Sequence, residues 1–391
     1  MNLNKIIELD KKYYMNTFGD RTAVCFDRGE GLCLYSTEGK KYIDFMGGIA
    51  VNAIGYSNSC FTQALHSQID KIIHTSNLYY IENQALLAQR LVELSCADKV
   101  FFANSGAEAN EGAIKLARMY FYKKGQGHKN EIITLKNSFH GRTLATVAAT
   151  GQEKYQKPYM PLTPSFIHVE PNDTEQLQNA VSENTCAILL EVVQGESGVH
   201  PLTNAYLSAA RKLCDDNGIL LIYDEVQTGM GRTGTMFAYE HFCIEPDIFT
   251  LAKALGGGVP IGAICAKDFC CAFEPGEHGT TFGGNPLACC AALAVLDIFE
   301  KERLVENSYE MGNYFVKKLN EMNSDKIVQI RGRGLMIGIQ LCENANEVNK
   351  KLFERGYLCG TVGDTLRILP PLIVTKKDID SFIDVLEEVI A

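Results

Sequence analysis

Seven short apolar runs, rich in β-branched and aromatic side chains, punctuate the middle of the chain at 100–103, 132–135, 166–169, 187–193, 219–223, 248–251 and 261–266. Continuous apolar character, rather than alternation with polar residues, marks strands covered on both faces. Between several of them the period changes. Over 105–124, Ala109, Ala113, Leu116, Ala117, Tyr120 and Phe121 fall on one side of a helix, and 203–217 follows the same rule. Strands alternating with helices predict an α/β fold built on a mostly parallel sheet with helices on both sides.

The two ends read differently. Residues 1–55 hold short strand-like pieces with turns at Gly29-Glu30-Gly31 and Glu38-Gly39-Lys40. Residues 300–391 mix amphipathic helix with short strands at 335–341 and 366–369. This predicts a large domain over 56–285 and a smaller α+β domain assembled from 1–55 and 286–391.

Composition narrows the function classes. The 37 Lys and Arg against 47 Asp and Glu leave a net charge of −10, without a basic block. That balance argues against nucleic-acid and anionic-membrane partners. No run approaches the roughly eighteen apolar residues of a membrane span. The first residues, carrying Glu8 and Asp10, lack the apolar core of a signal peptide. The 14 cysteines are scattered or adjacent in pairs, with no CxxC, and are expected to be free thiols in a reducing cytoplasm. Histidines at neither HExxH nor HxxxH spacing give no reason to expect a metal.

Three features carry chemistry. Ser105-Gly106-Ala107-Glu108 follows a predicted strand and opens the helix at 105–124 as a capping box, with Glu108 expected to reach back to the cap. Free N–H groups at such a start, with Gly106 admitting close approach, suit a phosphate. Asp224 ends the run GILLIYD, at the strand edge where α/β sheets bind ligands. Lys253 is the lone cation in DIFTLAKALGGG. A desolvated lysine becomes a nucleophilic amine able to form a Schiff base. The string Gly229-Met-Gly-Arg-Thr-Gly matches GxGxxG but neither follows a strand directly nor opens a long helix, so it reads as a turning loop and not a dinucleotide site. Phosphate cup, strand-end Asp and desolvated Lys together match the needs of pyridoxal 5′-phosphate (PLP).

At this point the chain resembles the class III PLP-dependent aminotransferases, closest to those members that act on N-acetylornithine. The resemblance runs through YMNTFGDR at 14, RGEG, NSGAEANEGAIKLAR, SFHGRT, QGESG, DEVQTGMGRTG, LAKALGGGVPIGA, HGTTFGGNP and LRILPPLIV. It implies PLP-transferase fold type I, with a mostly parallel seven-stranded sheet. It also implies roles. Gly106 and Ala107 bind the phosphate, Phe139 stacks on the ring, and Val226 packs on the other face. Asp224 pairs the pyridinium nitrogen, Gln227 bonds the ring hydroxyl, and Glu225 in the same motif counts as cofactor-binding. Lys253 holds the cofactor and moves the proton. Thr281 reaches the phosphate of a neighbouring subunit and Thr280 contacts substrate there, so a homodimer with shared sites is implied.

Arg142 is implied to hold the α-carboxylate of an ω-amino donor and the side-chain carboxylate of 2-oxoglutarate or glutamate, and Arg367 the α-carboxylate of glutamate. Glu196 is the implied switch partner masking Arg367. The expected reaction moves the δ-amino group of N-acetylornithine to 2-oxoglutarate, as in arginine synthesis; ornithine, succinylornithine and 4-aminobutyrate are alternative donors. Two departures from the family pattern stand out: Val192 where many relatives carry Pro, and Tyr56-Ser-Asn-Ser in place of Gly-His-x-His-Pro. They put the local loop geometry, but not the chemistry, in doubt.

Overall fold

The structure is a computed structural model describing Met1–Ala391. Its centre is a seven-stranded sheet: β1 (Lys99–Ala103), β2 (Glu131–Leu135), β3 (Phe166–Val169), β4 (Thr185–Leu190), β5 (Leu220–Asp224), β6 (Ile248–Leu251) and β7 (Gly262–Ala266). The order across the sheet is β1-β7-β6-β5-β4-β2-β3. Only β7 runs against the rest, pairing antiparallel with both β6 and β1. Every residue of β4, β5, β6 and β7 is buried, as continuous apolar runs require.

Two expected elements shift. The apolar run 187–193 is not one strand: β4 ends at Leu190, and Val193–Gln194 pairs instead with His200–Pro201 in a separate ribbon. Glu191 sits at the break, where its carboxylate accepts the N–H groups of Phe139 and Gly195. An acid that must find donors cannot continue a fully apolar strand. The second shift is at the edge of β5, which starts at Leu220 and takes Asp224 as its last residue.

Helix α1 (Gly106–Lys123) starts as its capping box predicts, with Ser105 Oγ accepting the Glu108 N–H at 3.1 Å. Glu108 reaches one residue further back than expected, to the N–H of Asn104 at 2.8 Å. Helix α2 (Asn204–Asn217) is capped by Thr203 and stopped by Gly218 at φ +60°.

Both ends of the chain meet outside the central sheet. Lys41–Asp44 pairs in parallel with Tyr357–Leu358, joining segments more than 300 residues apart in sequence. Four further strands, at Ile327–Arg333, Met336–Leu341, Gly360–Val362 and Thr365–Ile368, make an antiparallel sheet. Arg232, in the rejected GxGxxG string, is fully buried and donates from Nη1 to the carbonyls of Leu335 and Pro370, tying this layer to the loop after β5. The loop turns at Gly231 (φ +74°) and Gly234 (φ +94°) and opens no long helix. Tyr56, one of the departures, donates to Asp44 at 2.5 Å and accepts from Asn52 at 3.0 Å. All fourteen cysteines are free thiols, and no helix is long and apolar enough to cross a membrane.

Candidate active site

The C-terminal ends of β1, β5 and β6 converge on a cavity of about 430 Å³ lined by residues from 51 to 261. The first open N–H groups of α1, at Gly106 and Ala107, line it, and a helix start leaves such groups without internal partners. Gly106 is needed there: a Cβ would stand 2.7 Å from Val226 Cγ1. Val226 and Phe139 also line the cavity.

Asp224 is held from its protein side. Its Oδ2 accepts from Asn110 Nδ2 at 2.8 Å and lies 2.8 Å from His140 Nδ1, while Oδ1 accepts only the Val226 N–H at 3.0 Å. With a carboxylate as partner, Nδ1 carries the His140 proton. Asn110 is itself oriented by Thr250, whose hydroxyl donates to Asn110 Oδ1 at 2.7 Å. Asp224 therefore keeps acceptor capacity on Oδ1 for a protonated group in the cavity.

Lys253 follows β6 and Ala252, with a backbone φ of +45°, a left-handed conformation that side-chain-bearing residues rarely hold. Its ammonium faces the cavity and has no hydrogen-bond partner among the side chains and carbonyls around it. Burial pulls its pKa down to about 8, opposed by Glu196 and reinforced by Arg367. A substantial fraction of neutral amine is then present near neutral pH.

Arginines flank this centre. Arg367 is 4% exposed on the strand Thr365–Ile368, and its Nη2 donates to Gln227 Oε1 at 3.0 Å and to Glu196 Oε1 at 3.2 Å, with Nη1 at 3.4 Å from Glu196 Oε2. Burial pushes the Glu196 carboxyl up, but Arg367 and Lys253 outweigh it and hold it below its ordinary range. Arg142 is exposed at the mouth, its guanidinium 3.8 Å from the centre of the Tyr155 ring and 5.4 Å from that of Phe139.

The structure thus gathers Gly106, Ala107, Phe139, Arg142, Asp224, Val226, Gln227 and Lys253 around one cavity, with Arg367 and Glu196 on Gln227 at its edge. Glu225 is corrected. Its buried carboxylate turns away and accepts from Thr228 Oγ1 at 2.7 Å and from the N–H groups of Ala238 and Tyr239 at 3.0 Å each. β5 ends at Asp224, and past the strand end the chain turns Glu225 into the scaffold while Val226 and Gln227 return to the cavity. Thr280 and Thr281 lie outside the cavity; the Thr280 hydroxyl accepts from Asn104 Nδ2 and the Gly283 N–H, and Thr281 is exposed.

Among the lining residues that escaped sequence reasoning, Asn110, His140 and Glu191 are both polar and buried. Each had a signal. Asn110 lies four residues after Gly106, on the same face of α1 and amid its apolar positions. His140 directly follows Phe139, and Glu191 directly follows an apolar strand, much as Asp224 closes one. Burial raises the Glu191 carboxyl above its ordinary range; His140 pulls it down and Asp224 pushes it further up.

Known proteins resemble this chain along its whole length. The aminotransferase class-III family profile matches residues 14–390. The chain belongs to the class III aminotransferases. An acetylornithine aminotransferase of Methanocaldococcus jannaschii is 50% identical over 393 residues, covering 100% of this chain and 98% of the relative. One from Aquifex aeolicus is 47% identical, covering 97% and 100%. Among solved structures, the ornithine aminotransferase of Toxoplasma gondii ME49 superposes with a TM-score of 0.95 at 30% identity, covering 100% of this chain and 95% of that one. The acetylornithine aminotransferase of Elizabethkingia anophelis gives 0.89 at 34%, covering 100% and 99%. This class III aminotransferase is a PLP-dependent enzyme of fold type I, and the residues around the cavity fit the cofactor: a glycine cradle at a helix start, a carboxylate with a free acceptor and an unpartnered amine.

Proposed function

We propose that the enzyme transfers the δ-amino group of N-acetylornithine to 2-oxoglutarate, giving N-acetylglutamate 5-semialdehyde and glutamate, and that in arginine synthesis it runs with glutamate as donor. The observation that carries this reading is the buried Arg367 guanidinium covered by Glu196 beside Lys253, with a second guanidinium, Arg142, at the mouth. An ω-amino donor bears one carboxylate and glutamate bears two, so a site that serves both needs one permanent and one maskable cation. Arg142 is the permanent one. Glu196 neutralises Arg367 when the donor presents an apolar chain there, and yields it when the α-carboxylate of glutamate arrives.

PLP, when bound, supplies an aldehyde for the amino group and a ring that takes up negative charge. Asp224 Oδ1 would hold a proton on the ring nitrogen, with Asn110 and His140 keeping that carboxylate aimed. Gln227 would hold the ring hydroxyl, Phe139 and Val226 would hold the ring between them, and Gly106 and Ala107 would hold the phosphate through their N–H groups. Lys253 Nζ removes and returns the proton at the reacting carbon, a task suited to a group titrating near the working pH.

The working unit in this reading is a cytoplasmic homodimer in which Thr281 serves the neighbouring subunit's phosphate and Thr280 a shared substrate contact. Exposed Leu78, Tyr79, Tyr80 and Phe282 support it, because Asn77 Nδ2 donates to the carbonyls of Thr280 and Gly283 and so puts this apolar patch beside both threonines. Free thiols support a reducing compartment. The division into a 56–285 domain and a second from 1–55 and 286–391 is part of the same proposal.

A second reading, an ornithine aminotransferase, draws on the higher structural similarity to the Toxoplasma protein. Sequence identity favours acetylornithine. Measuring kcat/KM for N-acetylornithine, ornithine, succinylornithine and 4-aminobutyrate with 2-oxoglutarate decides between them. We expect N-acetylornithine to lead by at least about tenfold; a higher value for any other donor overturns the assignment.

A further inference from the structure

The contacts between Glu196 and Arg367, at 3.2 and 3.4 Å, are long for a charge-assisted pair, so the closed state depends on how the two backbones are held. Glu196 sits in a loop between the two short strands Val193–Gln194 and His200–Pro201. Val199 anchors the far end of that loop in a small apolar cluster with Ala50, Val193, Met336 and Leu369. The segment Gly195-Glu196-Ser197-Gly198 carries no apolar side chain of its own. Behind it lies a cavity of about 660 Å³ lined by polar groups including Gln194, Ser197, His200 and Gln329. With no apolar anchor of its own, the segment is held by polar contacts: the Gly195 N–H donates to Glu191 Oε2 at 3.2 Å, and His200 Nε2 lies 3.2 Å from the Ser197 carbonyl.

One side chain spans the gap. Arg331, on the strand Ile327–Arg333, donates from Nη2 to the Gly198 carbonyl at 3.1 Å and to Thr365 Oγ1 at 3.0 Å. Its Nη1 is fixed by Gln329 Oε1 at 2.9 Å and Gln340 Oε1 at 2.7 Å. Gly198 is two residues after Glu196, and Thr365 is two residues before Arg367, on the same face of its strand. The loop also abuts the next strand so closely that a Cβ on Gly338 would stand 2.7 Å from the Gly198 carbonyl.

We propose that Arg331 is a positioning residue for the exchange between the two amino-group donors: a single guanidinium nitrogen ties the Glu196 loop to the Arg367 strand and so sets the masked state. It rests on the reading that Glu196 masks Arg367 for the ω-amino donor. The masked state matters for N-acetylornithine and not for glutamate, so losing the tie affects the two half-reactions unequally.

The test measures each half-reaction separately on the PLP-loaded enzyme. Arg331→Gln is expected to lower kcat/KM for N-acetylornithine about tenfold, the loss of hydrogen bonds from one charged group, while glutamate changes by less than about twofold. Thr365→Val, which removes only the hydroxyl, moves the ratio in the same direction by less and carries the test if the arginine variant does not fold. On a Glu196→Ala background, Arg331→Gln is expected to add less than about twofold, because it acts through Glu196. Equal losses in both half-reactions, or full additivity on that background, overturn the proposal. If Glu196→Ala alone leaves the ratio of the two half-reactions unchanged, the masking reading itself falls and the role of Arg331 falls with it. If Glu196→Ala shifts the ratio and Arg331→Gln does not, only the role of Arg331 falls.

Discussion

Asp224 and Glu225 are adjacent, both acidic and both buried, yet they do opposite work. Asp224 turns to the cavity and is steadied by Asn110 and His140 with one oxygen nearly free. Glu225 turns to the scaffold, where three donors occupy its carboxylate and hold the turn that leads to Ala238 and Tyr239. The difference is set where the strand ends: Asp224 is the last residue of β5, and the turn that follows carries the Glu225 side chain to Thr228, Ala238 and Tyr239. A functional carboxylate is recognised by acceptor capacity left over, a structural one by its capacity used up.

Substitutions can break that contrast. The largest effect is expected for Lys253→Ala, which removes the amine in the cavity that Asp224 faces. Turnover should fall below detection and the visible absorbance of the lysine-bound cofactor should vanish; retained turnover rules out the site. Asp224→Asn keeps the shape but loses the charge and replaces one of the two acceptor oxygens with an N–H donor. A loss of about a thousandfold in kcat, with unchanged thermal unfolding of the cofactor-free protein, is the expected outcome for a group acting electrostatically on a ligand. A fall in melting temperature as large as that of a core mutant would instead class Asp224 with Glu225.

A pH experiment addresses the lysine. Because burial lowers its pKa to about 8, the nucleophilic amine grows in as pH rises through that value. The rate at which cofactor-free enzyme takes up PLP should therefore rise about tenfold per pH unit below 8 and level off above it. A rise continuing to pH 10 would mean an ordinary, solvated lysine.

Glu225→Gln should give the smallest loss of activity, within about tenfold, and a change in stability instead. Burial lifts the Glu225 pKa from 4.5 to about 7. Between those values the folded protein binds the proton and the unfolded chain does not, so this group's contribution to stability falls as pH rises, by at most about 3 kcal/mol. The glutamine variant lacks that slope. Its deficit in melting temperature relative to the parent should narrow from pH 5 to pH 8, and a widening deficit would show that the carboxylate is stabilised, not penalised, by its surroundings.

Much of this was readable from the chain. Apolar runs located all seven strands of the sheet within a few residues, because burial on both faces demands continuous apolar character. Ser105, Gly106, Asp224 and Lys253 stood out because each breaks a local pattern: a cap, a glycine, an acid and a cation in apolar surroundings. What the run at 187–193 concealed was a strand end, since Glu191 finds its donors only in residues distant in sequence, Phe139 among them.

The sequence by itself determined the strands of the central sheet, the capped start of α1 and the family. Tertiary structure alone decided which acid faces the cavity, and it brought together Asn110 on α1, Asp224 at the end of β5 and His140 from a loop. It also set the guanidinium of Arg331 between Gly198 and Thr365, which lie 167 positions apart along the chain. Local patterns report burial and propensity, whose causes lie within a few residues. Orientation and long-range pairing depend on sheet order and register, which no short segment encodes.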